Sequence, residues 1–165
     1  MPLVAAALLL LGIAMMWLIP DVRFGALSAA LGDSAPAPGQ AVYTWRSAIV
    51  PLALLSLPAL VFAWTMWMLN RLFSRMAKGI VLDAHNARLV SQSGLGFAAF
   101  GVLAVIGNTL AVLVLTASNA PGERVLSISF SAASLGALAA GFAFWGLGAV
   151  LAEAARVAEE HAGIL

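Results

Sequence analysis

Four apolar stretches, residues 2–20, 47–69, 94–116 and 128–151, contain no Asp, Glu, Lys, Arg or His. Nothing else in the sequence constrains the fold as strongly. The hydrocarbon core of a bilayer is about 30 Å thick, and about 20 helical residues cross it. Within that core every backbone N–H and C=O needs a partner, and a helix supplies all of them internally. Composition agrees: 63% of the 165 residues are hydrophobic and only 9% charged, against about 25% charged in an ordinary soluble domain. The sequence therefore predicts an all-α integral membrane fold with four transmembrane helices in a single domain. A formal net charge of +1 gives no reason to expect direct nucleic-acid binding. The absence of cysteine rules out disulfides, iron–sulfur clusters and thiol chemistry.

The first stretch has no Lys or Arg ahead of its apolar core, and that core is longer than the ~7–15 residues of a secretory signal. An uncleaved first helix is expected. In the following segment, residues 21–46, the run Asp33-Ser34-Ala35-Pro36-Ala37-Pro38-Gly39 breaks regular structure, and Phe24 to Leu31 suits a short interfacial helix. Pro58 falls mid-way along the second stretch, where it should kink the helix. A turn at Ser118-Asn119-Ala120-Pro121-Gly122 separates the third and fourth stretches.

Basic residues set the orientation. Arg71, Arg75, Lys78 and Arg88, half of the chain's eight, lie in the loop 70–93. Short loops rich in Lys and Arg stay in the cytoplasm. This predicts a bacterial inner-membrane protein with that loop and both termini, including the tail 152–165, on the cytoplasmic side. Trp17 and Trp45 would mark the outer interface, and Trp64 and Trp67 the inner one.

Helices in lipid associate through close approach and polar contacts. The third and fourth stretches supply small residues, among them Gly101, Gly107, Gly136 and Gly141, and should form a tight antiparallel hairpin. Asn108 and Thr109 are the most polar pair at membrane depth, with Thr65 as a third such residue. Interhelical hydrogen bonding is the expected role of Asn108. Proton relays and ion-coupled transporters keep an ionisable residue inside the membrane, and none is present here. No nucleophile, phosphate-binding loop or metal-ligand spacing stands out either. His85 and His161 read as exposed polar residues, so neither an enzyme nor a cofactor is expected.

The loop has more pattern. Leu69, Leu72, Phe73 and Met76 recur at helical spacing, and Arg71, Arg75 and Lys78 occupy another face. The second helix should therefore continue beyond the membrane. Gly79 suits the position just past its end, and Asp83 suits the N-cap of the next helix. The basic stripe is fitted to anionic lipid headgroups or to a protein partner. The tail is net acidic, the loop net basic, and Glu153, Glu159 and Glu160 are expected to pair with the stripe.

The segment Gly79-Ile80-Val81-Leu82-Asp83-Ala84-His85-Asn86, followed by Leu89-Val90 and Gly94, resembles a pattern of the bacterial membrane family known as domain of unknown function 2975. Val157-Ala158-Glu159-Glu160-His161 is similar to that family's closing Leu-x-Glu-Glu-Asn element. The resemblance covers about Trp64 to His161. Leu82 stands in place of the usual Phe, Asp83 of Thr or Ser, His161 of Asn, and Gly163-Ile164-Leu165 of Leu-Thr-Val. What the resemblance implies is a membrane partner that restrains or informs a small helix-turn-helix transcription factor. Independently of that resemblance, the residues expected to contact a partner or lipid on the cytoplasmic face are Arg71, Arg75, Lys78, Asn86, Arg88, Glu159 and Glu160. The residues alone also fit an accessory subunit of a larger membrane complex. A transport role would require a homo-oligomer built around Asn108, Thr109 and Thr65.

Overall fold

The computed structural model describes residues 2–19, 25, 27–29, 31–32, 45–81, 83–117, 124 and 126–162. Four helices carry most of these: α1 Pro2–Leu18, α2 Trp45–Met76, α3 Ala84–Thr116 and α4 Ala132–Ala162. No strand occurs among the described residues. Three segments, Ala48–Met76, Ala84–Thr116 and Ala132–Glu160, are long and apolar enough to cross a membrane. At 1.5 Å per residue they reach about 44–50 Å, so each extends several turns past a core of about 30 Å. Helix α1 has 17 residues, or about 26 Å. Leu60, Leu95 and Phe142 are 47%, 66% and 69% exposed along these helices. So much apolar surface is a liability in water but suits lipid. The chain is a membrane protein whose helices contact lipid.

The helices pack in chain order, α1 on α2, α2 on α3 and α3 on α4. Side-chain volume sets how closely. A Cβ added at Gly94 would stand 2.6 Å from the Trp145 backbone nitrogen and 2.7 Å from the Gly141 carbonyl. One at Gly101 would meet the Ser134 carbonyl at 2.8 Å, and one at Gly148 the Ser91 nitrogen at 2.8 Å. The two helices are therefore antiparallel and touch backbone to backbone. Gly136 departs from the expected packing set, since nothing lies within 4 Å of its missing Cβ. It is two residues from both Ser134 and Leu138, and at 100° per residue it faces the opposite side of α4.

Helix α2 stays helical through Pro51 and Pro58. Pro58 has no N–H to give the Leu54 carbonyl one turn back. Gly107 of α3 packs there instead, so close that a Cβ would come within 3.0 Å of the Leu54 oxygen. A chain of aromatic rings ties the three long helices together: Phe62 to Phe97 and Phe100 at 6.3 and 5.4 Å, and Phe97 to Phe144 at 5.5 Å. Nearer the other end of α2, Leu27 and Leu31 are buried with Ala48, Leu52, Ala111, Val112 and Leu115. Residues 25, 27–29 and 31 are helical, and this short stretch packs its two leucines against α2 and α3.

The fourth expected span begins later than residue 128. Leu126 to Ser131 is non-helical, and in Leu-Ser-Ile-Ser-Phe-Ser the apolar side chains Leu126, Ile128 and Phe130 are each more than 60% exposed. Ser131 then starts α4: its hydroxyl accepts the Ser134 backbone N–H at 3.1 Å, as an N-cap does. Asn108 donates to the Ser129 hydroxyl at 3.2 Å, which holds this segment beside α3. The runs 33–39 and 118–122 lie outside the described residues.

Candidate functional site

Charge concentrates at the corner between α2 and α3, and local chemistry fixes its shape. Gly79 adopts φ +82°, a left-handed conformation that glycine enters without steric cost. The Gly79 N–H reaches the Met76 carbonyl at 2.9 Å, and the Ile80 N–H reaches that of Arg75 at 3.3 Å. This bond pair is a Schellman motif, which satisfies the free carbonyls at the end of α2.

Arg75 then closes the corner. Its Nε donates to Asn86 Oδ1 at 2.8 Å, and its Nη2 forms an ion pair with Asp83. The Asn86 amide donates in turn to the Ile80 and Val81 carbonyls at 2.7 and 3.3 Å. Asn86 is 1% exposed, so it is an internal strut and not a contact for a partner. Asp83 stands at the N-cap of α3, with φ −147° and ψ 135°, but its side chain makes no capping bond. The Arg75 guanidinium claims that carboxylate instead.

The remaining cations face outward. Arg71 is exposed and lies 4.7 Å over the Trp67 ring, a cation–π contact at the boundary of the apolar surface. Lys78 and Arg88 are exposed, and neither forms an ion pair among the described residues. His85 is exposed beside them.

The tail continues α4 without a break. Gly148 lies opposite Ser91, so the antiparallel register brings Ala155 level with Ala84. The last turns of α4 run about 10 Å beyond the start of α3. Glu159 and Glu160 are exposed there. The expected pairing of this tail with the basic stripe does not form among the described residues. Arg156 takes the acidic partners from its own helix, reaching Glu153 and Glu160 at 3.1 Å. Those partners sit one turn away on the same helix. The His161 side chain lies outside the described residues.

Three polar side chains at membrane depth are dispersed. Thr65 is fully buried, donates to Val61 O at 2.9 Å, and packs on Gly96. Thr109 donates to Val105 O at 2.9 Å, and Gly96 to Thr109 is about 20 Å of helix. Thr65 and the Asn108–Thr109 pair therefore do not meet at one site.

A cleft between α3 and α4, lined by Arg88, Gln92, Leu95, Phe142 and Trp145 among others, was not anticipated from the sequence. The spacing of Arg88, Gln92 and Leu95 at i, i+4 and i+7 was its readable signal. No family model, curated protein or solved structure matches this chain.

Proposed function

We propose that the chain is a four-span protein of the bacterial inner membrane, with both termini and the α2–α3 corner in the cytoplasm. Its role is to bind a protein partner, and it carries out no chemistry itself. The carrying observation is a division of labour among the corner's cations. Arg75 is fixed inside by Asp83 and Asn86, whereas Arg71, Lys78 and Arg88 stay outside on the frame it holds. The α4 tail beside them presents Glu159 and Glu160. A rigid basic platform next to an acidic helical arm suits a partner with charge of both signs.

The resemblance to domain of unknown function 2975 supports one such partner, a helix-turn-helix transcription factor held at the membrane. An accessory role in a larger membrane complex uses the same surface. Photo-crosslinking residues placed at Lys78 and at Glu159 in living cells test the reading. One protein should be captured from both positions and lost when Arg71, Lys78 and Arg88 are together replaced by Glu. Capture of lipid alone from both sites, with no protein, would refute it. Transcript profiles of the triple variant separate the two roles: a regulator shifts a defined gene set, and a subunit lowers recovery of its complex.

A further inference from the structure

The α3–α4 contact leaves a cleft of about 390 Å³ on one side of the pair. Gly94 and Gly141 form its floor, where the backbones approach too closely for any side chain. Leu95 and Ala98 on α3, and Phe142 and Trp145 on α4, form apolar walls. Towards the start of α3 the lining turns polar, through Ser91 and Gln92 to Arg88. Arg88 to Leu95 is about 10 Å along the helix axis, and Arg88 to Ala98 about 15 Å. The cleft is thus apolar over nearly all of its lining, with Arg88 at its end, and this run is comparable in length to a phospholipid headgroup and its first methylenes.

We propose that this cleft binds one anionic phospholipid, with its phosphate at Arg88 and an acyl chain along Leu95, Ala98 and Phe142. Arg88 is the cation suited to that task. Arg75 is held by Asp83 and Asn86, Arg156 by Glu153 and Glu160, and Arg71 lies on Trp67. Arg88 has no such partner among the described residues, and a guanidinium matches phosphate oxygens two at a time. Gln92, one turn deeper, offers amide donors to the oxygens below the phosphate. Trp145 stands where polar lining meets apolar, the depth at which indoles settle in membranes. Free phosphate would use Arg88 but leave the apolar walls unfilled. This inference needs α3 and α4 to cross the bilayer. It depends neither on which side the corner faces nor on any protein partner, so it fails or stands separately from the proposed function.

The test is tryptophan quenching in phosphatidylcholine vesicles containing a minor fraction of phosphatidylglycerol, with dibrominated chains on one lipid or the other. Subtracting the Trp145→Phe signal isolates Trp145. Brominated phosphatidylglycerol should quench it out of proportion to its share of the lipid, and unbrominated phosphatidylglycerol should relieve that quenching saturably. Arg88→Gln should lower the preference about fivefold, whereas Lys78→Gln, at an exposed cation outside the cleft, should change it less than twofold. Equal quenching by both lipids, or equal losses in Arg88→Gln and Lys78→Gln, would reduce the effect to diffuse surface charge and overturn the proposal. Absence of saturable relief in the wild-type protein would also overturn the proposal, whatever the folding of the variants, because unbrominated phosphatidylglycerol that replaces phosphatidylcholine leaves the bromine content of the bilayer unchanged.

Discussion

Arg71, Arg75 and Lys78 look equivalent along the sequence, yet only Arg75 reaches across to α3, where Asn86 is buried and Asp83 faces it. Asn86 uses both ends of its amide, accepting from Arg75 and donating to two carbonyls of the turn. Asn86→Ala should therefore cost about 1–3 kcal/mol, since buried groups lose their partners. Thermal unfolding in detergent would measure it against Lys78→Ala, expected within about 0.5 kcal/mol of wild type. Asn108→Ala should cost less than Asn86→Ala. The Asn108 amide makes one bond, to Ser129, and its Oδ1 has no partner among the described residues. Equal losses at Asn86 and Asn108 would contradict this account of the corner. The helix end at Gly79 was legible because a glycine after a periodic run is a local signal. The Arg75–Asp83–Asn86 cluster was not, because which arginine of a stripe meets the next helix depends on the path of the turn between them.

At the level of elements, the sequence revealed that α3 and α4 are rich in small residues but not the phase of their contact. Gly136 and Gly141 are alike in composition. Gly141 lies 2.8 Å from the Ala98 nitrogen by its missing Cβ, while Gly136 has open space. Gly141→Leu should cost at least the ~1–3 kcal/mol of an overpacked site, because rigid backbone opposes the new side chain. Gly136→Leu should be tolerated, with the leucine facing lipid, and so should Leu113→Ala, at a position 37% exposed. Unfolding midpoints of the three variants would show whether the contact face is placed correctly. Helix α4 starts later than residue 128 for a related reason: apolar content alone ignores period. Leu126 to Ser131 alternates strictly, which favours extended chain over helix, and Ser131 supplies the cap that ends the alternation. Ser131→Ala should cost about 1 kcal/mol and raise hydrogen exchange over the first turn of α4. Unchanged exchange at Ser134 and Leu135 would mean that the cap does not set this boundary.

For the whole molecule, the apolar stretches conveyed the membrane environment directly, because the bilayer sets helix length without reference to packing partners. Orientation rests on a different physical argument, the retention of Lys and Arg in short cytoplasmic loops. Arg71, Arg75, Lys78 and Arg88 lie near the corner, against Arg23 and Arg46 in the segment 21–46 and Arg124 in the connection before α4. Two single cysteines test it, since the chain has none of its own. Ala84→Cys sits at the exposed corner, and Arg124→Cys replaces an exposed residue towards the far end of α3. In intact spheroplasts an impermeant thiol reagent should label Arg124→Cys and spare Ala84→Cys until the membrane is permeabilised. The reverse pattern would invert the topology. An epitope tag ahead of Met1 settles the span count in the same preparation. Helix α1 is 17 residues long, within the range of about 17–25 that crosses a bilayer. If α1 crosses, the tag and Ala84→Cys lie on one side and are protected together. A tag digested by external protease while Ala84→Cys stays unlabelled would place α1 on the outer surface and leave three spans.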